Sequence, residues 1–165
     1  PMATMTVWKF NDPDGAATAL GTVKDLAKEH LLNLQDGAVV SWREGAKKPK
    51  TKQLADFTGV GALSGAFWGL LFGLIFFVPF FGMAVGAAMG ALAGHFSNYG
   101  IDQEFIDEVR SKVTEGTSAL FLLTSDATID KVVEAFEGQE MELIKSSLSH
   151  EQEEALREAF GDDED

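Results

Sequence analysis

Between Phe57 and Tyr99 the chain carries no Asp, Glu, Lys or Arg, and this interval more than any other limits what the sequence can fold into. Pro79 divides it. Glycine recurs every fourth residue on both sides: Gly61, Gly65, Gly69 and Gly73 before the proline, and Gly82, Gly86, Gly90 and Gly94 after it. A spacing of four lays the glycines in a stripe along one helix face, where two backbones can approach closely. Each glycine costs about 1 kcal/mol relative to alanine inside an aqueous helix, so two such stripes require something packed against them. The reading is a hydrophobic helical hairpin zippered by glycine, with the bulky Phe67, Trp68, Leu71, Phe72, Leu74 and Ile75 on the opposite face.

As helices, residues 58–78 would run roughly 31 Å and residues 80–96 roughly 25 Å, against a bilayer hydrocarbon core of about 30 Å. Two short spans or one re-entrant hairpin fit these lengths, and a hairpin buried in a large soluble assembly has the same composition. The hairpin tip holds Phe76, Phe77, Pro79, Phe80 and Phe81, an aromatic cluster suited to a membrane interface. Lys47, Lys48, Lys50 and Lys52 stand just before the apolar interval and read as a cytoplasmic membrane flank. The sequence-based expectation is therefore a membrane protein with transmembrane helices in a bacterial cytoplasmic membrane, both flanking segments on the cytoplasmic side.

Charge narrows the partners. The net charge is −13, and the imbalance is C-terminal: residues 1–57 hold eight basic and seven acidic side chains, residues 98–165 five basic and nineteen acidic. Nucleic acid is excluded as an expected partner on that ground. The chain has no cysteine, hence no disulfide, thiolate metal site or cysteine nucleophile. No basic segment followed by an apolar run opens the sequence, so no secretory signal peptide is expected.

The flanks read as alternating strands and helices. Residues 4–10 form a strand, Asp12 and Pro13 start a helix whose apolar stripe of Leu20, Val23, Ala27, Leu31 and Leu34 runs to about Gln35, and a second strand carries Ala38, Val40 and Trp42. After the hairpin, Ile101, Phe105, Val109 and Val113 mark a connecting helix that ends at Gly116. Residues 118–124 (SALFLLT) make a strand buried on both faces. A helix capped by Asp126 follows, with Ile129, Val132, Val133 and Phe136 as its stripe, then a strand over residues 141–148 and a last helix opened by Ser149 and Gln152. The fold class expected is α+β: a ferredoxin-like βαββαβ domain with the glycine-zipper hairpin inserted between strands two and three, plus a C-terminal helix. The divisions are residues 1–53, 54–100, 101–160 and an acidic tail over 161–165.

These features together resemble the bacterial family of predicted membrane proteins catalogued as domain of unknown function 1269. The resemblance rests on the opening strand and helix, the paired runs GALSGAFWGLLFG and GMAVGAAMGALAG around Phe-Val-Pro-Phe-Phe, Ile101-Asp102, and the closing SLSHEQEEALREAF, and extends over nearly the whole chain. It implies membrane association and no established reaction, and it carries no catalytic residue with it.

Recognisable catalytic chemistry is lacking. His30, His95 and His150 stand far apart with no partner motif, and the carboxylates Glu104, Asp107 and Glu108, or Glu151, Glu153 and Glu154, read as solvated helix faces. No glycine pattern matches a phosphate loop or dinucleotide fingerprint. The expectation is a non-enzymatic scaffold without cofactor or metal that self-assembles through its glycines, with the membrane and an unidentified protein as further partners. The alternatives are a pore-forming or membrane-remodelling protein, and a membrane-tethered domain that senses a small ligand or partner.

Overall fold

The computed structural model describes residues 3–30, 33–58, 61, 63, 65–77, 96, 99–125, 134, 136 and 141–146. The protein is α+β, built on a five-stranded antiparallel sheet. Strand β1 is Ala3–Phe10, helix α1 Gly15–Lys28, β2 Leu34–Trp42 and β3 Lys50–Gln53. Helix α2 is the short Leu54–Thr58, and α3, Gly65–Phe72, continues into a π-helical segment, Gly73–Phe77. Helix α4, Gln103–Lys112, precedes β4, Thr117–Ser125, and β5, Glu142–Ser146.

The strand order is β3-β2-β4-β1-β5, so β4 lies between β2 and β1. Phe121 marks its register, opposite Val7 on one side and Ala38 on the other. Strand residues alternate between faces with period two, and here both faces are covered. Ala119, Phe121 and Leu123 join Met5, Val7, Ala38 and Val40 beneath α3, the π segment and α4. Leu120 and Leu122 join Trp8, Val39 and Leu143 beneath α1. The apolar run SALFLLT is thus explained by burial on both sides.

Local chemistry sets the helix ends. In α4, Asp102 is the N-cap and its carboxylate accepts from the Phe105 N–H at 2.8 Å. Helix α1 starts two residues beyond the expected Asp12-Pro13. Asp12 instead accepts from the Asp14 N–H at 2.8 Å, while Ser118 of β4 accepts from the Ala16 N–H at 3.0 Å and donates to the Asp12 carbonyl at 2.7 Å. The side chain that receives the helix start is therefore a strand serine distant in sequence. The helix also stops at Lys28, short of Gln35, and His30 follows with φ 61 in the left-handed region. The turn into β4 needs Gly116, whose φ is +86 and whose N–H donates to the Trp42 carbonyl at 2.6 Å.

The membrane expectation is corrected. Among the described residues no helix is long and apolar enough to cross a membrane. A transmembrane arrangement in a bacterial cytoplasmic membrane, both flanks in the cytoplasm, is therefore not supported. The physical reason lies in α3 and the π segment: α3 starts at Gly65, after the separate short α2, and the bulky face is used within the chain, with Phe67, Trp68, Leu71, Phe72 and Ile75 all buried. The second glycine run (Gly82, Gly86, Gly90 and Gly94), the tip residues Pro79, Phe80 and Phe81, His95, His150 and the Ser149 cap lie outside the described residues, as does nearly all of the helix expected after Asp126.

Candidate functional site

Helix α3 has two faces that differ in size more than in polarity. On the inner face the indole of Trp68 stacks on Phe72, centroids 5.5 Å apart at 25°, and both rings meet Phe121 of β4 edge-on at 6.1 and 5.2 Å. Phe67 packs edge-to-face on Phe96 at 5.3 Å and on Tyr99 at 5.7 Å. Such pairs add about 0.5–1.5 kcal/mol each beyond the area they bury. The outer face is formed by small residues. Gly65, Ala66 and Gly69 are exposed, and among the described residues nothing lies within 4 Å of a Cβ built at Gly69 or Gly73, while one at Gly65 would meet only the Gln53 amide, at 3.9 Å.

Two polar fixtures hold this helical segment, one from the sheet and one from α4. The first is Asp36, 1% exposed, at the irregularity in β2 between Leu34 and Asp36. One of its carboxylate oxygens accepts from the Gly37 N–H at 2.7 Å, and the other from the Leu63 N–H at 2.8 Å and the Trp68 indole N–H at 3.1 Å. A buried carboxylate is tolerated when N–H donors surround it. Gly61 belongs to this fixture too, since a Cβ there would sit 2.7 Å from an Asp36 oxygen, closer than real contacts allow. Gly61 therefore makes close room for the carboxylate, whereas Gly65 and Gly69 turn outward.

The second fixture is Arg110 of α4. Its guanidinium donates to the Leu74 carbonyl at 2.6 Å and the Ile75 carbonyl at 2.9 Å, with Asp107 at 3.4 Å. Carbonyls near the end of a helix lack intrahelical donors, and a cation placed there satisfies them.

Phe76, expected at the aromatic tip of the hairpin, is 8% exposed, with Trp42 edge-on at 6.1 Å. Phe77 ends the π segment. Lys47 and Lys48 are exposed in the β2–β3 connection, and Lys50 and Lys52 are exposed on β3. Asp36 and Arg110 escaped sequence reasoning, because the partners through which they hold the helical segment lie 27 to 36 residues away and neither belongs to a motif.

A family profile described as a protein of unknown function (DUF1269) matches residues 62–161, more than half of the chain. The chain belongs to the DUF1269 family. The DUF1269 match begins just ahead of α3 and takes in α4, β4 and β5, leaving β1, α1, β2 and β3 outside it, so it covers less of the chain than the near-complete length the resemblance had suggested. No curated protein and no solved structure matches this DUF1269 chain.

Proposed function

We propose that this protein is a non-enzymatic scaffold that self-assembles through the glycine face of α3. The observation that carries the reading is the division of labour on that helix: its large side chains are occupied internally, while Gly65, Ala66 and Gly69 are left exposed. Exposed mid-helix glycine costs about 1 kcal/mol against alanine. Close approach of a second backbone offsets that cost, and a four-residue glycine spacing is the pattern that permits it. A second copy of the chain presents the same face, so a symmetric contact brings stripe against stripe.

The finer fold reading belongs to the same proposal. We take β1, β2, β4 and β5 with α1 as a ferredoxin-like unit carrying an insertion between β2 and β4. Supporting it are the order β2-β4-β1-β5 within the sheet and antiparallel pairing throughout. In this reading the insertion covers the sheet face opposite α1.

The test is particle size. Light scattering on the full chain is expected to give a mass that is a multiple of 17.8 kDa. Gly69→Leu, at a position whose Cβ would meet nothing within 4 Å among the described residues, is expected to give the monomer with unchanged secondary structure. A monomeric parent protein, or a variant particle of the parental size, refutes the scaffold.

A further inference from the structure

A cavity of ≈ 530 Å³, open on one side, lies where the end of the π segment meets α4 and the β2–β3 connection. Its size falls within the roughly 300–1,000 Å³ typical of small-molecule sites. Trp42, Ile75, Phe76 and Val113 give it an apolar wall. Trp42 is held in place from both ends, its indole N–H donating to the Ala46 carbonyl at 3.0 Å and its ring meeting Phe76 at 87°. The wall is therefore fixed before any ligand arrives.

The charged groups lining the cavity are Lys47, Arg110 and Glu115. Glu115 is engaged, accepting from the Gly45 N–H at 3.1 Å. Arg110 spends Nε and one Nη2 hydrogen on the Ile75 and Leu74 carbonyls and approaches Asp107 through Nη1. A guanidinium has five N–H donors, so among the described residues one on each terminal nitrogen is left over. Those carbonyl bonds also hold the head group rigidly, which lowers the entropy lost on meeting a ligand. Lys47 is exposed. In a chain of net charge −13, two of the three charged groups lining the cavity are cations, with Asp107 outside the lining at 3.4 Å from Arg110.

We infer that this cavity binds a small amphipathic monocarboxylate, its apolar body against Trp42 and Phe76 and its carboxylate between Arg110 and Lys47. A cationic ligand is disfavoured by those two side chains. A neutral one would forgo the charge-assisted hydrogen bonds on which selectivity depends.

The experiment is calorimetric titration of the full chain with 4-butylbenzoate and, beside it, 4-butylbenzamide, which keeps the body and removes the charge. The benzoate is expected to bind at one site per chain, with the amide about tenfold weaker. Lys47→Glu, in an exposed connection, is expected to weaken the benzoate about fivefold. Thr114→Trp, a substitution at an exposed position on the rim, is expected to abolish binding by filling the mouth. Arg110 is left intact because it also secures α3, and unchanged thermal unfolding of both variants verifies the fold. Absence of saturable benzoate binding, equal affinity for the amide, or parental affinity in Thr114→Trp overturns the proposal. Ligand binding is read independently of particle size, so this test and the scaffold test fail separately.

Discussion

Replacing Asp36 by alanine should destabilise the protein more than any other polar substitution on the sheet. The carboxylate is 1% exposed and accepts three N–H groups, from Gly37, Leu63 and Trp68. Its removal loses three hydrogen bonds to a charged group and leaves donors in a buried site, where each unsatisfied group costs about 1–3 kcal/mol. Water entering the vacated space relieves part of this, giving a net loss of about 3–6 kcal/mol. Against the roughly 5–15 kcal/mol of a typical domain, that is a large fraction of the total.

Asp36→Asn is the sharper probe. Asparagine keeps the shape but has one acceptor oxygen, so one side of the site becomes an amide facing an N–H. The expected loss is about 2–3 kcal/mol. Trp68→Phe removes the indole donor while keeping an aromatic ring in the stack with Phe72. A double-mutant cycle of Asp36→Asn with Trp68→Phe, read by urea unfolding, should return a coupling of about 1–2 kcal/mol. Additive effects, or an Asp36→Ala loss below about 1 kcal/mol, would refute the claim that this carboxylate latches α3 to β2.

Two further expectations concern the same core. Among the described residues the Thr124 hydroxyl is a buried side-chain group with no hydrogen-bond partner, so Thr124→Val should raise stability by about 1 kcal/mol, seen as a higher unfolding temperature. Arg110→Met keeps the aliphatic stem but strips the donors from the Leu74 and Ile75 carbonyls; it should cost about 1–2 kcal/mol in thermal unfolding, with faster amide exchange in residues 73–77.

What the sequence discloses about this fold depends on how local the cause is. Strand β1 is legible in its short β-rich run, and β4 in its continuous apolar stretch, because burial on both faces writes itself into adjacent residues. Helix α4 is legible through its stripe of Phe105 and Val109, but its cap at Asp102 was not read and its end falls at Lys112, short of the expected Gly116. Strand β3 was missed, since Lys50–Gln53 has no apolar alternation and owes its existence to the pairing of Lys50 with Ser41 and Gln53 with Ala38. The same residues read as a membrane flank because a lysine cluster looks alike in both settings, and lysine on an edge strand also discourages further pairing. Strand β2 begins at Leu34, where helical spacing appeared to continue, because the irregularity at Asp36 reconciles an acidic residue with a buried strand only once Trp68 arrives from 32 residues away.

The membrane expectation failed for a related reason: hydropathy adds up a helix without regard to side. Glycine and phenylalanine both count as apolar, so α3 resembles a span although its asymmetry is one of size. Seen by size, α3 with the π segment it runs into is amphipathic, with Phe67, Trp68, Leu71, Phe72 and Ile75 buried and Gly65 and Gly69 exposed. Burying a large apolar side chain contributes about 1.5–3 kcal/mol, so these five supply at least about 8 kcal/mol, against about 2 kcal/mol for the two exposed glycines. Contacts within the chain, to the sheet and to Arg110 of α4, therefore already hold the helix in place. A partner meeting the glycine face joins a helix that is already folded, and its contacts need offset only the cost of association rather than the cost of ordering the segment.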